Sequence, residues 1–151
     1  MEQSIEDFTT TIRVNETTNE AFNAINNVRG WWSESILGNA NKLNDKFIYR
    51  YEDVHTCNIE LIEVIPNKKV VWYVVDNYFS FIKNEKEWIG TSIIFEISTV
   101  EDKTQIRFTH KGLIPDYECY DICFNAWTNY IKNSLYSLIT TGKGEPNLKE
   151  E

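Results

Sequence analysis

The chain has 151 residues, 42% hydrophobic and 14% aromatic, with 15 Lys and Arg against 23 Asp and Glu for a formal charge of -8. That size suits one domain with a single core, residues 1–151, and the acidic balance repels phosphate backbones and anionic lipid surfaces, which removes nucleic acid and membrane as natural partners. No apolar run approaches the roughly 18 residues of a membrane span. The start MEQSIEDF lacks a signal-peptide pattern, and Cys57, Cys119 and Cys123 have no framework spacing, so the expectation is a cytoplasmic protein with reduced thiols.

The stretch DFTTTIRV alternates Phe8, Thr10, Ile12 and Val14 with polar neighbours and predicts a first strand. TTNEAFNAINNV follows with Thr17 and Glu20 as a capping box, then Ala21, Phe22, Ile25 and Val28 at helical spacing. GNANKLNDK reads as a loop, and FIYRYEDV as a strand with Phe47, Tyr49 and Tyr51 on one face and Arg50 and Glu52 on the other. CNIELIEVI and KVVWYVV, separated by PNKK, predict a hairpin. The stretch from Asp76 to Gly90 reads as a loop at the sheet edge, able to cap a cavity or to dock a partner protein. A second hairpin joins TSIIFEISTV to TQIRFTHKG through EDK, with Ile93, Phe95, Ile97, Ile106, Phe108 and His110 facing inward. A long helix from Asp116 to about Thr141 closes the chain. Asp116 and Glu118 stand in its first turn, Gly142 at its stop, and Tyr120, Cys123, Trp127, Ile131, Leu135 and Leu138 form its apolar stripe.

Strand, short helix, antiparallel strands and long helix make an α+β arrangement in which a curved sheet must bury the stripe of the one long helix. So many rings with polar tips favour a lined cavity between sheet and helix over a tight aliphatic core. His110, on the inward phase of the last strand, is either a satisfied core histidine or a group that donates to a ligand or shuttles a proton. His55 precedes Cys57 at a strand edge, where solvation is expected. Cys119 and Cys123 share a helix face at i, i+4, but nothing supplies two further ligands, so no metal is expected. With six glycines there is no phosphate loop, dinucleotide fingerprint or nucleophile elbow, and no cofactor is expected.

The segment HKGLIPDYECYDICFNAWTNYIKNSLYSLITTGKGEP, with WWSESILG and the strand ending FTH, resembles the domain of the family named for the activator of Hsp90 ATPase, in the START-like helix-grip superfamily. The resemblance runs from FTTTIRV to TTGKG and implies a curved antiparallel sheet wrapped around a long C-terminal helix. START-like domains include lipid carriers, hormone receptors and polyketide cyclases, so the resemblance speaks to fold more than to function. The N-terminal domain that carries the activator's ATPase-stimulating motif has no counterpart in these residues. In the implied arrangement the segment after the first helix turns over one end of the sheet. Because neighbouring side chains diverge, Trp31 and Trp32 should separate, one ring packed inward and the other beside the cavity entrance, with Gly30 and Gly38 giving the freedom of a gate.

The resulting expectation is a binding protein for a largely apolar, lipid-, polyketide- or aromatic-like ligand. Its cavity would be walled by Trp31, Trp32, Tyr49, Tyr51, Trp72, Trp88, Phe95, Phe108, His110, Cys123, Trp127 and Ile131. Burying some 200 Å² of ligand at about 25 cal/mol per Å² supplies about 5 kcal/mol before immobilisation costs. Two alternatives stand beside it. One is a cyclase- or hydratase-like enzyme that uses His110 with Tyr49 or Tyr51. The other is a module that docks a chaperone of the Hsp90 type through an exposed apolar patch.

Overall fold

The alternation read in the sequence builds a seven-stranded antiparallel sheet of order β1-β7-β6-β5-β4-β3-β2. The computed structural model describes residues 7–52, 54–80, 88–113 and 120–147. Its elements are β1 (Phe8–Val14), α1 (Thr18–Asn26), α2 (Val28–Trp31), β2 (Leu37–Gly38), β3 (Lys46–Tyr51), β4 (His55–Ile65), β5 (Lys69–Phe79), β6 (Ser92–Val100) and β7 (Lys103–Lys111). The C-terminal helix follows as α3 (Tyr120–Asn129), a π-helical segment (Tyr130–Leu135) and α4 (Tyr136–Thr141). This arrangement is consistent with a helix-grip fold. Among the described residues no helix is long and apolar enough to cross a membrane.

Local chemistry accounts for the joints. Thr17 caps α1 by accepting the Glu20 N–H at 3.1 Å, which satisfies one of the helix's unpaired donors. The β6–β7 hairpin turns on Glu101 and Asp102, both with positive φ, the backbone that matches the twist of paired strands. Asn67, at φ 65°, turns β4 into β5. Gly142 ends α4 at φ 86°, and its N–H returns to the Leu138 carbonyl at 3.0 Å.

The β4–β5 pair carries two irregularities, between Asn58 and Ile59 and between Leu61 and Glu63. The first decides what faces the helix. Ile59 pairs with Val74 and Asn58 with Asp76, so Val75 is the extra residue of a bulge and the phase of β5 shifts by one. Val70, Trp72 and Val74 face inward before it, and Asn77 and Phe79 after it. Uninterrupted alternation would have turned Asp76 and Tyr78 inward instead. The residues from Asp76 to Phe79 therefore continue β5 rather than opening the expected loop. Residues 81–87 of that loop lie outside the described residues.

The C-terminal helix buries Cys123, Trp127, Ile131, Leu135 and Ile139, five positions spaced by four. In a regular α-helix each step of four overshoots a full turn by about 40°, and the stripe would wind off the sheet. The wider turns of the π segment absorb part of this drift. Ile139 thus takes the inward place expected of Leu138, which is only partly buried. The expected start at Asp116, with Glu118 and Cys119, lies outside the described residues.

Candidate ligand cavity

Between β3, β4, the end of β5 and the first half of the C-terminal helix lies a cavity of about 270 Å³. Its walls are the rings of Trp32, Tyr49, His55, Phe79, Trp88, Trp127 and Tyr130, with Cys123, Val54 and Asn147 filling in. Tyr51, Ile122 and Ala126, all exposed, form its rim. Of the residues expected to line a cavity, Trp32, Tyr49, Tyr51, Trp88, Cys123 and Trp127 do so. Trp31, Trp72, Phe95, Phe108, His110 and Ile131 lie beneath that wall, each fully buried in the packed core.

The two neighbouring tryptophans do not diverge. Trp31 and Trp32 are both buried and stack on each other, ring centroids 6.0 Å apart at 15°, and each stacks on Trp72, at 14° and 6°. Trp31 ends α2 and Trp32 caps it with its backbone still in the right-handed helical region, yet the two long side chains bring their rings over the same side. Trp31 is anchored from its Nε1 to the Ile25 carbonyl at 3.1 Å, whereas Trp32 lies 4.2 Å from Tyr49 and faces the cavity. Trp32 is a wall, not a gate: it is 1% exposed, and the flanking glycines are close-approach positions rather than hinges. A Cβ on Gly38 (φ 106°) would meet the Lys46 carbonyl oxygen, and one on Gly30 would meet the Asn27 side chain.

His110 is held at both nitrogens. Trp127 Nε1–H donates to Nδ1 at 3.1 Å, so the neutral ring carries its proton on Nε2. Nε2–H donates to Thr91 Oγ at 2.8 Å, and the Thr91 hydroxyl donates in turn to the Trp88 carbonyl at 2.6 Å. The circuit is complete within the protein. Burial, then the nearby His55, lowers the His110 pKa to about 3. The ring therefore has no free donor for a ligand and no free lone pair for a proton: it is a satisfied core histidine.

His55 is the opposite case. It is not solvated at an edge: β4 begins at His55 and has β3 on one side and β5 on the other, so the ring points inward and is 8% exposed. It stacks on Phe79 at 4.2 Å and meets Trp88 edge to face at 4.7 Å. Nε2 lies 2.7 Å from Asn77 Oδ1, an acceptor, so Nε2 carries the proton. Burial lowers its pKa to about 4, against the opposing effect of that bond. Beside it, Asn147 Nδ2 donates to Tyr49 Oη at 3.2 Å and to Tyr130 Oη at 2.8 Å, and the two hydroxyls are 3.3 Å apart. Burial, then the neighbouring Tyr130, holds the Tyr49 hydroxyl protonated. Asn147 itself is fixed by backbone bonds to Trp32 and Glu34.

Reading the sequence missed His55, Asn77, Tyr130 and Asn147. The alternation of His55, Cys57, Ile59 and Leu61 was the available signal for the first. Cys57 and Cys123 are buried and outside any disulfide, and burial, then Asp76, raises the Cys57 thiol well above its ordinary range. Among the described residues no three His, Cys, Asp or Glu gather as metal ligands. A second depression, about 950 Å³, lies on the outer face of the sheet beside Arg29, Arg50 and Glu52. It is an open groove, and Arg29 is already bonded to the Ile36 and Gly38 carbonyls.

The sequence matches no protein-family profile and no curated protein. The fold is that of several solved structures. The Aha1 dimer from Colwellia psychrerythraea aligns over 92% of this chain and 99% of that one, at 24% identity and a TM-score of 0.74. A protein from Staphylococcus saprophyticus aligns over 95% and 98%, at 16% identity and a TM-score of 0.64. DynU16, a putative protein in the dynemicin biosynthetic locus, aligns over 92% of this chain and 49% of its own, at 14% identity and a TM-score of 0.64. These likenesses show that this chain shares the fold of those structures.

Proposed function

We propose that this protein binds a small, largely apolar molecule in the cavity under its C-terminal helix. The observation that carries the reading is the cavity wall itself, ring upon ring with an open rim and with a few polar side-chain groups, those of His55, Asn147, the tyrosine hydroxyls, the Cys123 thiol and the indole N–H groups, of which the Trp88 Nε1–H is buried without a partner. Such concave, mostly apolar sites with a few placed polar groups are the usual form of small-molecule sites. The fold shared with Aha1 and DynU16 is compatible with ligand binding.

Volume narrows the ligand. A space of 270 Å³ equals about nine waters at ~30 Å³ each and lies just under the usual range for drug-sized ligands. One ring or two fused rings fit; a lipid chain or an extended polyketide does not. The saturated bonds of His110 remove the residue on which the cyclase-like alternative depended, which favours binding over turnover. Native mass spectrometry of the purified protein after incubation with benzofuran tests the reading. A one-to-one adduct that disappears when Ala126 at the rim is replaced by Trp is the expected result. No adduct, or one that survives the rim substitution, would count against the cavity.

A further inference from the structure

A cavity lined only by rings would take any apolar molecule of the right size. This one has an additional feature. His55 is more than nine-tenths buried in the wall, and its bond to Asn77 is its one hydrogen bond among the described residues. The proton sits on Nε2, because Asn77 Oδ1 can only accept. The Nδ1 lone pair is therefore left over, on a ring that borders the cavity. An acceptor without a protein partner at the edge of an apolar cavity favours an occupant that supplies a donor.

We propose that His55 selects the ligand: its Nδ1 accepts a hydrogen bond from the N–H or O–H of a neutral aromatic compound of one or two rings, and Asn77 is the positioning residue that fixes the ring's proton on Nε2. The proposal rests on the reading of the cavity as a ligand site and adds the polarity that the ligand must carry. Two features of the structure agree with it. The bulge at Val75 turns Asn77, rather than Asp76, inward beside His55. A carboxylate there would favour the charged imidazolium, which donates from both nitrogens and would reject a ligand donor. The stacking partner Phe79 and the edge of Trp88 fix the plane of the ring, so the lone pair has one direction.

The neighbouring tyrosines complete the pattern. Asn147 spends both Nδ2 protons on Tyr49 and Tyr130, and one hydroxyl proton closes the bond between the two tyrosines. One hydroxyl proton remains without an acceptor among the described residues. It is available to a second polar atom of the ligand. The Tyr49 ring meets that of His55 edge to face at 5.2 Å, so these polar groups stand on one stretch of the cavity wall.

Indole and benzofuran test this directly, because they share size and shape and differ in one N–H. In calorimetric titrations the wild-type protein should bind indole several-fold tighter than benzofuran, up to about 10-fold, the worth of one neutral hydrogen bond. His55→Phe keeps a ring between Phe79 and Trp88. It should bind indole and benzofuran equally, whatever change in affinity the two share. Benzofuran binding with no indole preference in the wild type, or a preference that survives His55→Phe, overturns the role of His55 while leaving the cavity standing. Binding of neither compound overturns both. Should His55→Phe fail to fold, long-range ¹H–¹⁵N spectra of the wild-type protein decide: the His55 Nδ1 resonance should shift on adding indole and not benzofuran. A resonance unmoved by saturating indole overturns the proposal.

Discussion

Two histidines on the helix-facing side of the same sheet, His55 and His110, lie in aromatic surroundings and are both neutral, yet they do different things. His110 is enclosed by Trp127, Thr91 and Trp88 with every donor and acceptor matched, and it belongs to the packed core. His55 has one nitrogen matched by Asn77 and one not, and it borders the cavity. Burial and a shifted pKa are common to both, so neither distinguishes structure from function. What distinguishes them is the remaining hydrogen-bonding capacity, which is a count that can be made atom by atom.

The same contrast separates the aromatic core from the cavity, and the largest test falls on the core. Trp72 is fully buried between Trp31, Trp32, Phe47 and Phe95. Trp72→Ala should cost about 3–5 kcal/mol in urea denaturation, the range for a fully packed aromatic. A loss near 1 kcal/mol would mean the core is as loosely filled as the cavity.

Acid comes next. Both imidazoles have folded pKa values, about 4 and about 3, below the unfolded value of 6.5, so the unfolded chain binds more protons in that window. Their contribution to stability is complete above pH 6.5 and is lost as pH falls toward 4, at up to about 1.4 kcal/mol per pH unit for each ring. Denaturation midpoints from pH 7 to pH 5 should show this slope, and His55→Phe should remove about half of it. A flat wild-type profile would contradict the burial of both rings.

A smaller effect isolates the His110 circuit. Thr91→Val keeps the shape but leaves His110 Nε2–H without an acceptor, at a cost of about 1–3 kcal/mol. Benzofuran affinity should not change, and a loss of binding would place His110 at the ligand after all. The least effect on stability is expected at the rim. Ala126→Trp adds a ring at an exposed position and should leave stability within about 0.5 kcal/mol while closing the cavity.

Much of this contrast was legible in advance. Alternation set the inward faces of β6 and β7, including His110, Thr17 marked the first helix and Gly142 the end of the last. The site was harder to see, because it depends on where regular patterns break. Nothing in the run Val74-Val75-Asp76 names Val75 as a bulge, although unbroken alternation would have buried the Asp76 carboxylate, a sign that the phase must shift. The stripe of fours from Cys123 to Leu135 is plain in the sequence, but no residue in it marks where the π segment begins, at the cavity-lining Tyr130. Trp31 and Trp32 misled for a different reason. The rule that neighbours diverge holds for the Cα–Cβ bonds, and side chains as long as tryptophan can still bring their rings together, here against Trp72.

The central claim is that the ring-lined cavity takes up a small apolar molecule, and calorimetric titration with benzofuran at several temperatures tests it most directly. The account predicts one site per chain with a dissociation constant of about a millimolar, from about 5 kcal/mol of burial less the cost of immobilisation, and a negative heat-capacity change from buried apolar surface. Both should vanish in Ala126→Trp. Absence of binding to the wild-type protein, or equal binding to the rim variant, would contradict it.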